Sequence, residues 1–131
     1  MPYTRYHGGS SFIELKAGVS EPIAQGTNST IRVRNQTGHI MTITGLQGFC
    51  TLAGNVGTVD LQDAVAASHL AAVLPLVAGQ VASTTTITGA AGTTKIDGAD
   101  FYVVFNNPGG GANFITNAQA TITGFVQWAS T

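Results

Sequence analysis

One four-residue string occurs three times in this chain, as Thr42-Ile43-Thr44-Gly45, Thr86-Ile87-Thr88-Gly89 and Thr121-Ile122-Thr123-Gly124, and it narrows the choice of fold more than any other feature. Threonine and isoleucine branch at Cβ and fit a pleated surface, while glycine permits a sharp change of backbone direction. Each string therefore predicts a strand that runs into a turn or bulge, and the three together predict three strands of one β domain. The unequal spacings and unmatched flanks exclude a solenoid, so the strings are recurrent strand chemistry and not a true repeat.

Other stretches fill in the same fold class. From Ser11 to Ala17, Ile13, Leu15 and Ala17 alternate with Phe12, Glu14 and Lys16, which is the pattern of a half-buried strand. Thr30 to Asn35 places Ile31 and Val33 inward and Arg32 and Arg34 outward. A turn at Asn35-Gln36-Thr37-Gly38 then leads into Ile40 to Thr44, so a hairpin of these two strands is expected. Pro22 to Gln25, Phe49 to Ala53, Thr94 to Asp97 and Ala112 to Thr116 read as short strands. Ser83 to Thr88, with little to bury besides Ile87, reads as an edge strand.

Phe101 to Phe105 is apolar on both faces and predicts a central strand covered on both sides. Ala120 to Trp128 predicts the last strand, with Ile122, Gly124, Val126 and Trp128 inward and Phe125 standing alone on a threonine face. Thr58 to Val77 is the one stretch with helical credentials. Leu61, Val65, Ala72 and Leu76 share a helical face, alanine is frequent, Asp60 stands where a cap belongs, and the helix is expected to end before Pro75. The fold expected is thus a jelly-roll-like or Greek-key β-sandwich over residues 11–131 with one short helix, preceded by an extended arm over residues 1–10.

Composition bears on function mainly by exclusion. Charged residues make up only 8% of 131 residues and the net charge is −1. Near-zero charge favours association over solubility as a monomer, so a subunit covered by neighbours is expected. Five basic residues neutralise few phosphates, which argues against a nucleic-acid partner. The longest apolar stretch, Leu61 to Ala78, is interrupted by Asp63, His69 and Pro75 and falls short of a membrane span. Met1 to Phe12 lacks a signal-peptide core, so cytoplasmic synthesis is expected. The single cysteine, Cys50, cannot form an internal disulfide, and its apolar neighbours predict a buried structural thiol.

No motif for catalysis, cofactor or metal rises above this background. His7, His39 and His69 fit no ligand spacing, and no nucleophile elbow, P-loop or dinucleotide fingerprint occurs. Asp97 and Asp100 flank a turn but lack the oxygen ligands that Ca²⁺ needs, which leaves turn hydrogen bonding as their role. The chain is expected not to be an enzyme, and no cofactor or metal is expected. Arg32 and Arg34 leave two readings, a solvated face paired with Glu14 or Glu21 and a docking face for an acidic neighbour.

Poverty in charge, wealth in threonine, alanine and glycine, an aromatic N-terminal stretch and many short strands give the chain a familiar outline. It resembles the small structural proteins of tailed bacteriophages, most of all the capsid decoration or cement proteins. The resemblance covers the whole chain in style and rests on no diagnostic motif, so it carries no family site onto any residue. It implies a virion protein on the capsid surface, self-associating as a trimer and bridging neighbouring major capsid proteins. Under that reading the expected contact residues are Tyr3, Arg5 and Tyr6 in the arm, Arg32 and Arg34 on the basic strand, and Phe125. A competing reading is a tail-fibre, spike or lectin-like module that binds cell-surface glycan through Tyr102, Trp128 and the loop Asn106 to Gly111. A third is a connector of head or tail.

Overall fold

The computed structural model describes residues 10–53, 57–63, 68, 73–88, 94–108 and 113–127. Eleven strands occur among them: β1 (Ser10–Val19), β2 (Thr27–Arg34), β3 (Ile40–Phe49), β4 (Leu52–Ala53), β5 (Thr58–Gln62), β6 (Leu74–Pro75), β7 (Ala82–Thr84), β8 (Thr94–Lys95), β9 (Asp100–Asn107), β10 (Ile115–Thr116) and β11 (Ala118–Gln127). One sheet has the order β1-β11-β3-β7, with β8 also on β3. A second has the order β2-β9-β5-β6, and β4 pairs with β10. Every pair of neighbouring strands is antiparallel.

The alternation in the sequence decides which side chains meet between the two larger sheets. Met41, Ile43, Leu46, Ala120 and Ile122 from the first sheet join Val59, Leu61, Phe101, Val103 and Phe105 from the second in one buried cluster. Two antiparallel sheets sharing one core make a β-sandwich. Phe101 and Phe105 are fully buried and Val104, on the opposite face of β9, is 6% exposed, so β9 is covered on both sides as its apolar run predicts.

Two of the three repeated strings meet at a single irregularity. On the partner strand β11, Thr123 faces Gly45 and Gly124 faces Ile43, so Thr44 is the extra residue of a β-bulge in β3. The bulge switches which parity of β3 points inward, from Met41 and Ile43 before it to Leu46 and Gly48 after it. Close approach is tight at both glycines and demands glycine at position 124, where the neighbour is backbone. A Cβ on Gly124 would stand 2.3 Å from the Thr42 carbonyl oxygen, and one on Gly45 would stand 2.8 Å from Thr123 Oγ1. The second string begins just past β7, which pairs with β3 beside the bulge through Leu46 and Thr84.

Three expectations are corrected. The described residues contain no helix. Thr58–Gln62 is strand β5 and Leu74–Pro75 is strand β6, while residues 64–67 and 69–72 of the expected helix lie outside the described residues. Val59 and Leu61 also satisfy a period of two, and burying both against β9 outweighs the helical propensity of the alanines that follow. Asp60 is accordingly no cap; it accepts hydrogen bonds from the Leu61 amide, Gln62 Nε2 and Ser68 Oγ. Second, β2 and β3 are not a hairpin but belong to different sheets. The Asn35 backbone extends the β2 to β9 pairing by bonding with Ala99 and Gly98, and its buried side chain donates to the His39 and Lys95 carbonyls while accepting from Thr37. The chain thus turns away from β2's own sheet. Third, Pro22 to Gln25 contributes only one bridge, Ile23 to Ile115, and the strand expected over Ser83 to Thr88 is Ala82–Thr84.

Candidate functional site

The two outer faces of the sandwich differ in what covers them. On the β2-β9-β5-β6 sheet Ser68 lies against part of the surface. Ser68 bridges to Gln62 and donates to Asp60, and both Asp60 and Val104 are buried on a face that would otherwise meet solvent. At the far side of this face Arg34 forms a two-point pair with Asp100, Nε to Oδ1 at 2.7 Å and Nη2 to Oδ2 at 3.2 Å, with Arg32 Nη1 at 3.9 Å from Oδ2. The Arg34 hydrogen bond holds the Asp100 carboxyl below its ordinary range, and Asp100 raises the Arg34 guanidinium. These residues are directly opposite in the β2 to β9 register, so the carboxylate is supplied from within the sheet and not by Glu14 or Glu21. Of the two expected docking arginines, Arg34 is engaged by Asp100 and Arg32 keeps a side chain 62% exposed.

The outer face of the β1-β11-β3 sheet has no such cover among the described residues. Phe12 and Phe125 stand opposite each other in register, their rings 5.8 Å apart at 74°, an edge-to-face contact. They remain 58% and 41% exposed, and Ile40 on the next strand is 45% exposed. Around them are Thr42, Thr44, Thr121 and Thr123, and the Thr44 hydroxyl donates to the Thr123 carbonyl oxygen at 3.3 Å. Glu14 and Lys16 are the charges on this face among the described residues. An aromatic pair set in uncharged, hydrogen-bonding side chains is apolar enough to gain from burial and polar enough to remain soluble when bare. The sequence pointed to Phe125 by its isolation on a threonine face. It missed Phe12 as a contact residue, although Phe12 shares the outward parity of Glu14 and Lys16, because nothing local says that the two strands are neighbours.

The remaining candidates resolve into structural roles. Asp97 Oδ1 accepts from the Gly38 amide at 2.9 Å, the turn bonding expected of it, and Asp100 is taken up by Arg34. No group of three metal-ligating residues occurs among the described residues. Cys50 is fully buried, and burial raises its thiol pKa, which keeps it protonated and poorly nucleophilic. Lys95 is 5% exposed, lies 5.6 Å from the Phe101 ring centroid, and has its ammonium pKa lowered by burial. Asn107 is fully buried and donates through Nδ2 to the Ile23 and Asn113 carbonyls, while its Oδ1 has no hydrogen bond among the described residues. Tyr102 is half-buried between Arg32 and Gln62 in the strand register. Tyr3, Arg5, Tyr6, His7, His69, Trp128 and the glycines at 109–111 lie outside the described residues.

No protein-family model matches the chain, and no curated protein matches it. Solved structures do share its form. The crystal structure of FLHE superposes with a TM-score of 0.55 at 11% identity, over 92% of this chain and 99% of that one. A structure from Bacillus endospore appendages, which form a family of disulfide-linked pili, gives 0.49 at 12% identity over 98% and 99% of the two chains. A chain of the cyanophage Pam1 capsid asymmetric unit gives 0.47 at 17% identity over 96% and 91%. The likeness to FLHE is one of fold alone, and the two lower scores carry no weight for fold or function.

Proposed function

We propose that this chain is a structural virion protein that decorates a phage capsid and stabilises it by bridging neighbouring capsid subunits, with no catalytic role. The observation that carries the reading is the outer face left uncovered by the described residues, with Phe12, Phe125 and Ile40 exposed among threonines, on a chain with only 8% charged residues. On the opposite outer face Asp60 and Val104 are buried and Asp60 accepts from Ser68, while Arg32 and Arg34 on β2 stay exposed beside Asp100. The strand orders β1-β11-β3-β7 and β2-β9-β5-β6 support a jelly-roll reading, an architecture used by viral capsid domains and by lectins alike. Fold therefore does not choose between these roles; the character of the face supports the first.

The mechanism is mechanical. A protein seated across two capsid subunits makes their separation expose the area it covers, and that area raises the cost of opening the shell. Exposed aromatics near the centre of such a contact carry most of its energy, with threonine and glutamine around them excluding water. The test is binding of the purified protein to expanded empty heads. Bound heads should resist heat or chelation better than bare ones, and Phe12→Ala or Phe125→Ala should weaken binding by about tenfold each. Absence of binding by the parent protein, or variants that bind as tightly as it does, would sink the reading.

A further inference from the structure

We infer that the open edge of β1 pairs antiparallel with β1 of a second copy of this chain across a two-fold axis, in one register centred on Leu15. This goes beyond the decoration reading and concerns the symmetry of the free protein.

Three observations converge on the edge. β1 is ten residues long and, among the described residues, pairs only with β11, so its other side from Phe12 to Val19 faces no further described strand. Proteins ordinarily blunt or cover such a strand. The apolar residues beneath it are also incompletely covered. Ile13, Leu15 and Val19 on β1, and Ile31 and Val33 on β2 at the same side of the sandwich, are only half-buried, whereas Val59, Leu61, Val103 and Phe105 farther in are fully buried. Finally, Glu14 and Lys16 are exposed and make no hydrogen bond or ion pair among the described residues.

The sequence of β1 selects the partner and the register. Centred on Leu15, antiparallel pairing sets Glu14 opposite Lys16 of the second copy and Lys16 opposite its Glu14, Ile13 opposite Ala17, and Phe12 opposite Gly18. Inward residues meet inward residues, and two opposite-charge pairs form. A slip that centres the strands on Glu14 places two carboxylates opposite each other, and one centred on Lys16 does the same with two ammonium groups. A slip of odd parity sets apolar residues against polar ones. Shape agrees with charge. A depression of about 460 Å³ lies at the Gly18 end of β1, lined by residues 16–20 and by Asn117 and Gln119, and this register brings Phe12 of the second copy to it. The paired strands make one continuous sheet with its aromatic threonine face outward on both copies.

The two-fold contact differs from the trimer implied by the resemblance, and mass in solution separates them. Sedimentation equilibrium of the full chain over a concentration series should show monomer and dimer. Glu14→Lys or Lys16→Glu alone turns both attractive pairs into repulsive ones and should raise the dimer Kd about tenfold or more. The double variant Glu14→Lys/Lys16→Glu restores both pairs and should recover most of the parental affinity. Both sites are exposed, and unchanged circular dichroism should show the single variants to be folded. A parent that is monomeric or trimeric, or a dimer indifferent to the single reversals or not rescued by the double one, overturns the inference. Head binding is a separate measurement, so an intact dimer that ignores heads removes only the decoration reading.

Discussion

The close approach of β11 to the β3 bulge makes Gly124→Ala the most informative single substitution. The new methyl carbon would lie 2.3 Å from the Thr42 carbonyl oxygen, 3.2 Å from its carbonyl carbon and 3.3 Å from Ile43 Cα. The first distance is roughly 1 Å inside ordinary contact, and all three atoms are backbone, so relief requires moving β3 itself. Overpacking of this kind costs about 1–3 kcal/mol, and an immovable neighbour puts it at the upper end. The stiffer unfolded chain returns about 0.4–1 kcal/mol, which leaves a net loss of about 2 kcal/mol.

Gly45→Ala, across the same bulge, is the control. Its nearest neighbour is the Thr123 hydroxyl at 2.8 Å, which can rotate, although the Thr84 carbonyl oxygen at 3.2 Å remains tight. Its expected net loss is about 0.5 kcal/mol. Urea unfolding at one fixed protein concentration measures both. Gly124→Ala should lower the midpoint clearly at unchanged slope and reduce Tm by about 6–8 °C. If Gly124→Ala matches the parent, or if Gly45→Ala proves the more damaging, the packing of the two strings at the bulge is not as described.

Two further perturbations test the buried polar groups. Asn107→Asp should cost about 3 kcal/mol or more at neutral pH, because a carboxylate would replace the amide that donates to the Ile23 and Asn113 carbonyls in a fully buried position. The loss should shrink as pH falls and the carboxyl protonates, and a pH-independent loss in urea titrations would contradict it. Lys95 works in the opposite direction. Burial, partly offset by Asp63, lowers its pKa, so the folded state sheds the proton before the unfolded chain does. Its contribution to stability should rise with pH from the lowered folded value up to the ordinary lysine range and then level off. The stability difference between the parent and Lys95→Met should therefore move in the parent's favour between pH 7 and pH 10, and a flat or opposite trend would refute the assignment.

What local pattern can encode was legible. The alternations of Ile13, Leu15 and Ala17, of Ile31 and Val33, and of Ile122 and Val126 all appear in the strands as expected, as does the doubly apolar run of β9. The stretch from Thr58 failed for a physical reason: Val59 and Leu61 suit either period, alanine favours helix, and only the β9 neighbour tips the balance toward strand. The expected β2 to β3 hairpin failed because a turn sequence states that the chain reverses without stating into which sheet. The candidate site was half legible. Phe125 could be singled out alone, but its partner Phe12 lies at the other end of the chain and is joined to it only by the β1 to β11 register.

The three threonine strings show where the division falls. By itself the sequence determined that the first and third would be strand, that threonines would line one face, and that glycine would mark a departure from regular geometry, because side-chain branching and the absence of Cβ act within a residue or two; the second, expected as strand too, begins beyond the end of β7. Only the tertiary structure decided that the first and third strings are neighbours, that Gly45 and Gly124 flank one bulge, and that the outer face beside them leaves Phe12 and Phe125 exposed. Register and cover are properties of what packs alongside a strand, and in an antiparallel sheet that partner can come from anywhere in the chain.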